Sequence, residues 1–183
     1  MLRTTHDIVI TPAYANLCGE MLPTQAVGDL LLVELYHKYV ADYPKFFKMD
    51  ALSRLGFVAS ELLLQKEGNR FYHREDRAVI MANRNGSIKN DRDYYETIRD
   101  RQNYYPSPSL FVYTLPNIVT GEIAIRNHYY GETAFYLLGG EAELDMLLET
   151  SIVPPTTSVL AGWIECNERD DFLCKLKIMK YDE

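Results

Sequence analysis

Basic residues and long apolar runs are both scarce in this sequence. Its 183 residues include 19 Lys and Arg against 26 Asp and Glu, which gives a formal net charge of −7. A chain without a basic excess is poorly suited to displacing the counterions of nucleic acid, so no nucleic-acid partner is expected. No stretch approaches the roughly 20 apolar residues that a membrane-spanning helix requires, so no membrane is expected either.

Cysteine is also rare. The three cysteines, Cys18, Cys166 and Cys174, include no Cys-x-x-Cys pair, which argues against a disulfide framework and against a zinc or redox motif. The early apolar run is broken at Pro12, too soon for a signal peptide. We therefore expect a cytoplasmic protein, and we predict neither a metal site nor a cofactor.

The remaining totals are those of a soluble globular protein. The apolar fraction is 47% and the charged fraction 25%, both ordinary values. The length predicts a single domain over residues 1–183. Aromatic residues make up 12%, with fourteen Tyr and seven Phe, so many tyrosines are expected at half-buried surfaces or interfaces.

Hydrophobic periodicity predicts alternating strands and helices. Apolar residues at about every fourth position predict helices over residues 24–43, with Thr24 as N-cap, and over 50–66. Further helices are predicted over residues 91–101, 117–129 and 141–150. Strands are predicted over residues 8–10, 78–82, 133–138, 159–166 and 172–179. The runs 78–82 and 133–138 are continuously apolar, which is typical of strands buried on both faces.

This order predicts an α/β fold with a mixed, mostly parallel sheet and helices on both faces. Lys175 and Lys177 share one face of the last strand, which indicates a half-solvated or edge strand. Gly139 and Gly140 form a tight turn between the 133–138 strand and the helix that begins at Glu141.

Three segments carry a resemblance to a known family. They read KMDALSRLGFVASELLL (residues 48–64), AVIMANRNGSIKND (78–91) and SPSLFVYTLPNIVTGEIAIRNHYYGET (107–133). In this order they resemble the N-terminal half of β-ketoacyl-acyl-carrier-protein synthases, the thiolase-like condensing enzymes. The closest match lies on Ser107-Pro108, Phe111, Pro116-Asn117, residues 121–125 and Gly131, while Glu132 stands where the family has proline. The resemblance implies a thiolase-like half with a five-stranded mixed sheet.

The same resemblance places a nucleophile position where this chain has no nucleophile. The family's catalytic cysteine comes nine residues after the glycine matched by Gly131, which is Gly140 here, flanked by Gly139 and Glu141. Glycine has no side chain to hold an acyl group as a thioester. The family also uses two histidines of its C-terminal half. The four histidines here do not match those motifs, and the sequence has about half the family's usual length.

Two functions remain open on this resemblance. The first is a ketosynthase-like protein of fatty-acid, polyketide or polyene-type biosynthesis that is inactive alone and acts as a partner or chain-length-type subunit. The alternative is a related acyltransferase or decarboxylase with altered chemistry, using Glu141 and backbone donors and possibly a second chain. Catalytic residues are therefore not assigned beyond the vestigial turn Gly139, Gly140 and Glu141.

The resemblance also implies partners. Members of the family dimerise by pairing the strand before the nucleophile turn antiparallel with its mate. The corresponding interface residues are Thr133, Ala134, Phe135, Tyr136, Leu137 and Leu138. We therefore predict a homodimer or a complex with a full-length ketosynthase, with acyl carrier protein as a further candidate partner.

Overall fold

A seven-stranded mixed sheet runs through the computed structural model, which describes residues 2–168 and 170–181. Its strands are β1 (Leu2–Ile10), β2 (Ala15–Leu17), β3 (Glu20–Met21), β4 (Arg77–Asn83), β5 (Thr133–Leu137), β6 (Ser158–Glu168) and β7 (Asp171–Tyr181). Their spatial order is β3-β2-β1-β7-β6-β4-β5. β4 is parallel to β5 and β6, and the other neighbouring pairs are antiparallel.

The predicted mixed α/β architecture is confirmed, with two corrections to the sheet. It has seven strands rather than five, because the short strands β2 and β3 extend it beyond β1. It is not mostly parallel, since only the β4–β5 and β4–β6 pairs run parallel. β6 and β7 follow each other too closely for a crossover helix and therefore pair antiparallel.

The helices cover the two faces of the sheet unequally. They are α1 (Asp29–Tyr39), α2 (Ala51–Leu64), α3 (Ile88–Glu96), α4 (Pro108–Val112), α5 (Ile118–Asn127) and α6 (Glu141–Ser151), with a short 3-10 helix at Pro44–Lys48. α1, α2 and α5 pack on the first face, where α2 is buried on nearly all sides. On the second face α6 places Leu144 and Leu148 over Ile80 and Trp163.

Gly56 lets α2 approach its neighbours closely. A Cβ at this position would lie 2.5 Å from Cγ2 of Val119 on α5 and 2.9 Å from Cδ1 of Ile164 on β6. Both distances are shorter than van der Waals contact, so any larger side chain would push α2 away from the sheet. The amino end of α2 is thereby held at the carboxyl ends of the parallel strands.

The predicted starts of two helices are wrong. The first helix begins at Asp29 and not near Thr24, because Gly28 has a positive φ of 61° and the Asp29 N–H donates to Oδ1 of Asp170 at 2.9 Å. The third predicted helix, which is α3, begins at Ile88 rather than at Asp91.

The predictions for two strand environments hold only in part. β7 is half-solvated, because its lysines face the partly exposed second face, but it is an internal strand between β1 and β6 and not an edge strand. The 133–138 run forms β5, but β5 lies at the sheet edge and is half exposed rather than buried. In the part of the chain that the structure describes, no helix is long and apolar enough to span a membrane.

Candidate functional site

The predicted nucleophile turn lies where β5 ends and α6 begins. Gly140 is the N-cap of α6, with an extended backbone (φ 179°, ψ 172°) and no side-chain cap. Apart from the two neighbouring residues, no atom of the described residues lies within 4 Å of the position that a Cβ would take at Gly140. The turn therefore has room for a side chain at the nucleophile position, and the sequence supplies none.

Glu143 folds back over this turn. Its Oε2 accepts the Gly139 N–H at 3.1 Å, and its own N–H donates to the Gly140 carbonyl oxygen at 3.1 Å. Glu143 is the third residue of α6, the position from which the acid of a capping box reaches the N-cap N–H. Here its carboxylate reaches the N–H of Gly139, one residue before the N-cap, and Gly140 has no side chain to complete the box. A Cβ at Gly139 would lie 2.5 Å from Glu143 Oε1. The Glu143 carboxylate thus occupies the Gly139 N–H.

Arg84 fixes the turn from the other side. Its Nε and an Nη donate to the Gly139 carbonyl oxygen at 3.2 and 2.7 Å. Its backbone N–H donates to Oε1 of Glu165 at 3.0 Å. Arg84 follows β4 directly and Glu165 lies on β6, so the turn is tied to the ends of both neighbouring parallel strands. Sequence reasoning missed this arginine because loop residues carry no periodic signal.

Glu141, the acid of the alternative function, lies on the second face of the sheet. Its Oε1 is 2.7 Å from Nζ of Lys175, and both side chains are close to half exposed. Such a pair is a surface salt bridge and contributes less than about 1 kcal/mol to stability. In this position the charge of Glu141 is paired with that of Lys175, and its side chain is close to half exposed to solvent.

The three thiols lie away from the turn. Burial raises the pKa of Cys166 on β6 to about 12, and burial raises the pKa of the fully buried Cys174 on β7 as well. Cys18 is exposed, but it lies between β2 and β3 at the sheet edge opposite β5. Because the thiolate is the nucleophilic form, the two buried cysteines are chemically inert near neutral pH. None of the three replaces the missing nucleophile.

A polar cleft of about 330 Å³ opens beside the amino end of α2, between α2, α3 and α4. Its walls carry the charged residues Lys48, Asp50, Arg54, Lys89 and Asp93. Burial raises the pKa of Asp50, which also caps α2 by accepting the Ser53 N–H at 3.0 Å. Walls of this charge suit a polar ligand and not a hydrocarbon chain. In the described residues, no group of three or more His, Cys, Asp or Glu is placed to hold a metal ion.

The edge of β5 is the second feature that the sequence singled out. The Val79 N–H donates to the Glu132 carbonyl, and the Leu138 N–H donates to the Asn83 carbonyl. Even-numbered residues therefore bond to β4, and Thr133, Phe135 and Leu137 direct their backbone groups at the free edge. The strand carries no charged side chain, and the Leu137 side chain is 63% exposed. An uncharged free edge of this kind is a template for pairing with another chain.

We expect Gly140→Cys to fold with a free energy of unfolding within about 0.5 kcal/mol of the parent. The backbone there is extended and the space is open. The new thiol should be alkylated by iodoacetamide faster than Cys166 or Cys174, because its Cβ position is open and lies at a helix amino end, whereas those two cysteines are buried. Gly139→Cys is the control and should be less stable, because its Cβ would contact the Glu143 carboxylate. A Gly140→Cys protein less stable than the Gly139→Cys protein would contradict this geometry.

Comparison with known proteins gives structural matches only. No family model matches the sequence, and no curated protein matches it. The ishigamide ketosynthase/chain length factor superposes with a TM-score of 0.67 at 16% identity, over 98% of this chain. A ketosynthase in complex with its chain length factor from Xenorhabdus doucetiae gives 0.64 at 14% identity, over 99%. A type II polyketide synthase acyl-carrier protein in complex with its ketosynthase gives 0.59 at 11%, over 98%.

These matches establish the fold. The chain spans 62%, 79% and 57% of the three matched chains, respectively. The thiolase-like fold that the sequence resemblance implied is therefore confirmed over nearly all of this chain.

Proposed function

We propose that this chain is a non-condensing ketosynthase-fold subunit of fatty-acid, polyketide or polyene-type biosynthesis, acting as a partner or chain-length-type subunit. The observation that carries this proposal is the turn at the start of α6, where glycine stands at position 140 and the Glu143 carboxylate accepts the N–H of Gly139. An acyl thioester has no atom to form on there.

The free edge of β5 supports a role in assembly. Two of the matched structures are complexes of a ketosynthase with a chain length factor or with an acyl-carrier protein. By analogy, the edge residues Thr133, Phe135 and Leu137 pair antiparallel with a chain of the same fold. A full-length ketosynthase is the partner for this role, and acyl carrier protein is a further candidate.

The test of this function is incubation of the protein with acyl- and malonyl-carrier protein. We expect no covalent adduct, no condensed product and no release of carbon dioxide above the rate without protein. The same protein should co-purify with a co-expressed full-length ketosynthase from the same organism and change the length of the acyl chain that this ketosynthase makes. Turnover by the chain alone that is lost in Glu141→Gln would instead establish the altered-chemistry alternative.

A further inference from the structure

We propose that this chain binds a small phosphate ester in a cleft at the amino end of β4, which we call the basal cleft. The cleft has a volume of about 340 Å³ and lies between the loop that follows α2 and the strands β1 and β7. This volume is within the range of small-molecule sites. The described residues that line the basal cleft include no Ala, Val, Leu, Ile or Met, so its ligand is polar where it meets the protein.

The basal cleft lies at the opposite end of the sheet from the nucleophile turn. Lys180, which lines the cleft, pairs with Ser158 on β6, and Ser158 pairs with Arg77, the first residue of β4. Arg84, which contacts the nucleophile turn, directly follows the last residue of β4. A seven-residue strand is about 20 Å long. A small ligand in the basal cleft is therefore separate from the turn and from the assembly role of β5.

The carboxylate in the basal cleft is neutralised from behind. Glu67 accepts two hydrogen bonds from the guanidinium of Arg77, at 2.9 and 3.0 Å, and Arg77 is fully buried. In the same region Asp76 accepts two hydrogen bonds from Arg74, at 2.9 and 2.7 Å. Each of these carboxylates has a guanidinium group of its own. Neither one therefore needs a lysine of the cleft to balance its charge.

Two lysines of the basal cleft keep their charge available. Nζ of Lys180 lies 3.0 Å from Oε1 of Glu67, but an ammonium group has three donors and can bind a further oxygen. Lys66 forms no ion pair and no side-chain hydrogen bond with any described residue. Lys66, Arg74 and Lys180 against Glu67 are three positive charges against one negative, a net charge of +2 in a chain of −7. This excess matches a ligand with two negative charges.

The loop after α2 adds backbone donors to the two lysines. Gly68 and Asn69 line the basal cleft, and their N–H groups donate to no acceptor among the described residues. Apart from its two neighbours, no described atom lies within 4 Å of the position that a Cβ would take at Gly68, so the space beside this backbone is open. Free backbone N–H groups and lysine ammonium groups are the donors with which proteins bind phosphate oxygens.

Tyr72 gives the basal cleft an aromatic wall. It is 47% exposed, and the Arg74 guanidinium lies 5.8 Å from the centre of its ring. This cation supports the tyrosine ring while much of the side chain remains open to a ligand. A flat organic group attached to the phosphate can pack against the ring. The cleft therefore favours a phosphate ester that carries a ring over free phosphate.

The test is a titration of the purified protein with phenyl phosphate at constant ionic strength, followed in NMR spectra of the backbone amides. At about pH 8 this ester carries close to two negative charges. We expect saturable shifts of the Gly68 and Asn69 amide signals. Lys66→Gln should raise the dissociation constant about tenfold, because it removes one charge-assisted hydrogen bond. Inorganic phosphate should bind about 2- to 10-fold more weakly than phenyl phosphate, because it has no ring to contact Tyr72.

Lys48→Gln is the matched control for Lys66→Gln. Lys48 and Lys66 are exposed lysines shortly before and shortly after α2, and Lys48 lines the polar cleft at the amino end of that helix. Lys48→Gln should leave the dissociation constant unchanged. A constant that rises in Lys48→Gln and not in Lys66→Gln would assign the anion to the other cleft and overturn the proposal.

Two further results would count against the basal cleft. Amide shifts that grow without saturation, and equally in the parent and in Lys66→Gln, would mean that the anion only screens surface charge, and the site would have to be abandoned. Equal affinities for phenyl phosphate and inorganic phosphate would remove Tyr72 from the site and the ring from its ligand. None of these measurements involves acyl- or malonyl-carrier protein, so the proposed function stands or falls separately.

Discussion

Arg77→Met is expected to lower the free energy of unfolding by about 3 kcal/mol at neutral pH. Arg77 is fully buried; its two Nη atoms donate to the Glu67 carboxylate at 2.9 and 3.0 Å, and its Nε donates to Ser158 Oγ at 2.7 Å. Removing one partner of a buried pair typically costs about 3–5 kcal/mol, because the other charge stays buried. The lower end of this range applies to Arg77→Met, because the Glu67 carboxylate keeps one cation: Nζ of Lys180 lies 3.0 Å from its Oε1. Urea unfolding at constant m value measures the loss.

The pH dependence separates this ion pair from a general packing defect. Burial alone would raise the pKa of Glu67, but Arg77 and then Lys180 outweigh it and hold that pKa below its usual value. In the parent, the stability gained from the Glu67 carboxylate is present above its ordinary pKa of about 4.3 and is lost as pH falls through the lowered pKa. The difference between parent and Arg77→Met should therefore shrink below about pH 4.

Lys180→Met is the control for Arg77→Met, since Lys180 is 46% exposed and its pair with Glu67 contributes less than about 1 kcal/mol. If Arg77→Met were no less stable than Lys180→Met, the buried pair would not hold the amino end of β4 in place.

The sequence allowed the elements with strong local patterns to be predicted. The helix α2 could be predicted because its apolar residues recur at helical spacing, and β4 because its continuously apolar run is typical of a strand covered on both faces. The sequence analysis does not predict α4, because Pro106 and Pro108 are residues that usually interrupt a helix. The signal was present, since Ser107 accepts the Leu110 N–H at 3.3 Å as N-cap and Pro108 occupies the first helical position. A five-residue helix leaves no periodicity to detect.

The turn between β5 and α6 could be predicted from the sequence, but the side-chain contacts around it could not. The resemblance located the turn at Gly139 and Gly140, and the structure places it at the start of α6. The Glu143 carboxylate on Gly139 depends on a side-chain conformation, and Arg84 reaches the turn from a loop 55 residues away. β5 shows a second limit of sequence analysis. A continuous apolar run predicts that a strand is covered, but it does not tell which part of the molecule, or which other molecule, covers it.

Leu137→Lys is expected to dissociate any assembly that forms along β5. Leu137 directs its backbone at the free edge, and an edge lysine is how natural sheets prevent such pairing. Burying a leucine contributes about 1.5–3 kcal/mol. A symmetric dimer contains this leucine twice, so the substitution removes about 3–6 kcal/mol of binding free energy. Because every 1.4 kcal/mol changes the dissociation constant tenfold, the constant should rise about 100- to 10,000-fold. Sedimentation velocity over a dilution series measures the change for a second copy, and co-purification measures it for a ketosynthase.

Met146→Lys provides the matched control for Leu137→Lys. Met146 is 66% exposed, close to the 63% of Leu137, but it lies on α6 over the second face of the sheet. Both variants should keep the parent's urea midpoint, because neither side chain is buried within a single chain. Only Leu137→Lys should weaken association. Equal effects of the two lysines would mean that added charge, and not the β5 edge, controls assembly, and the pairing of β5 with another chain would have to be abandoned.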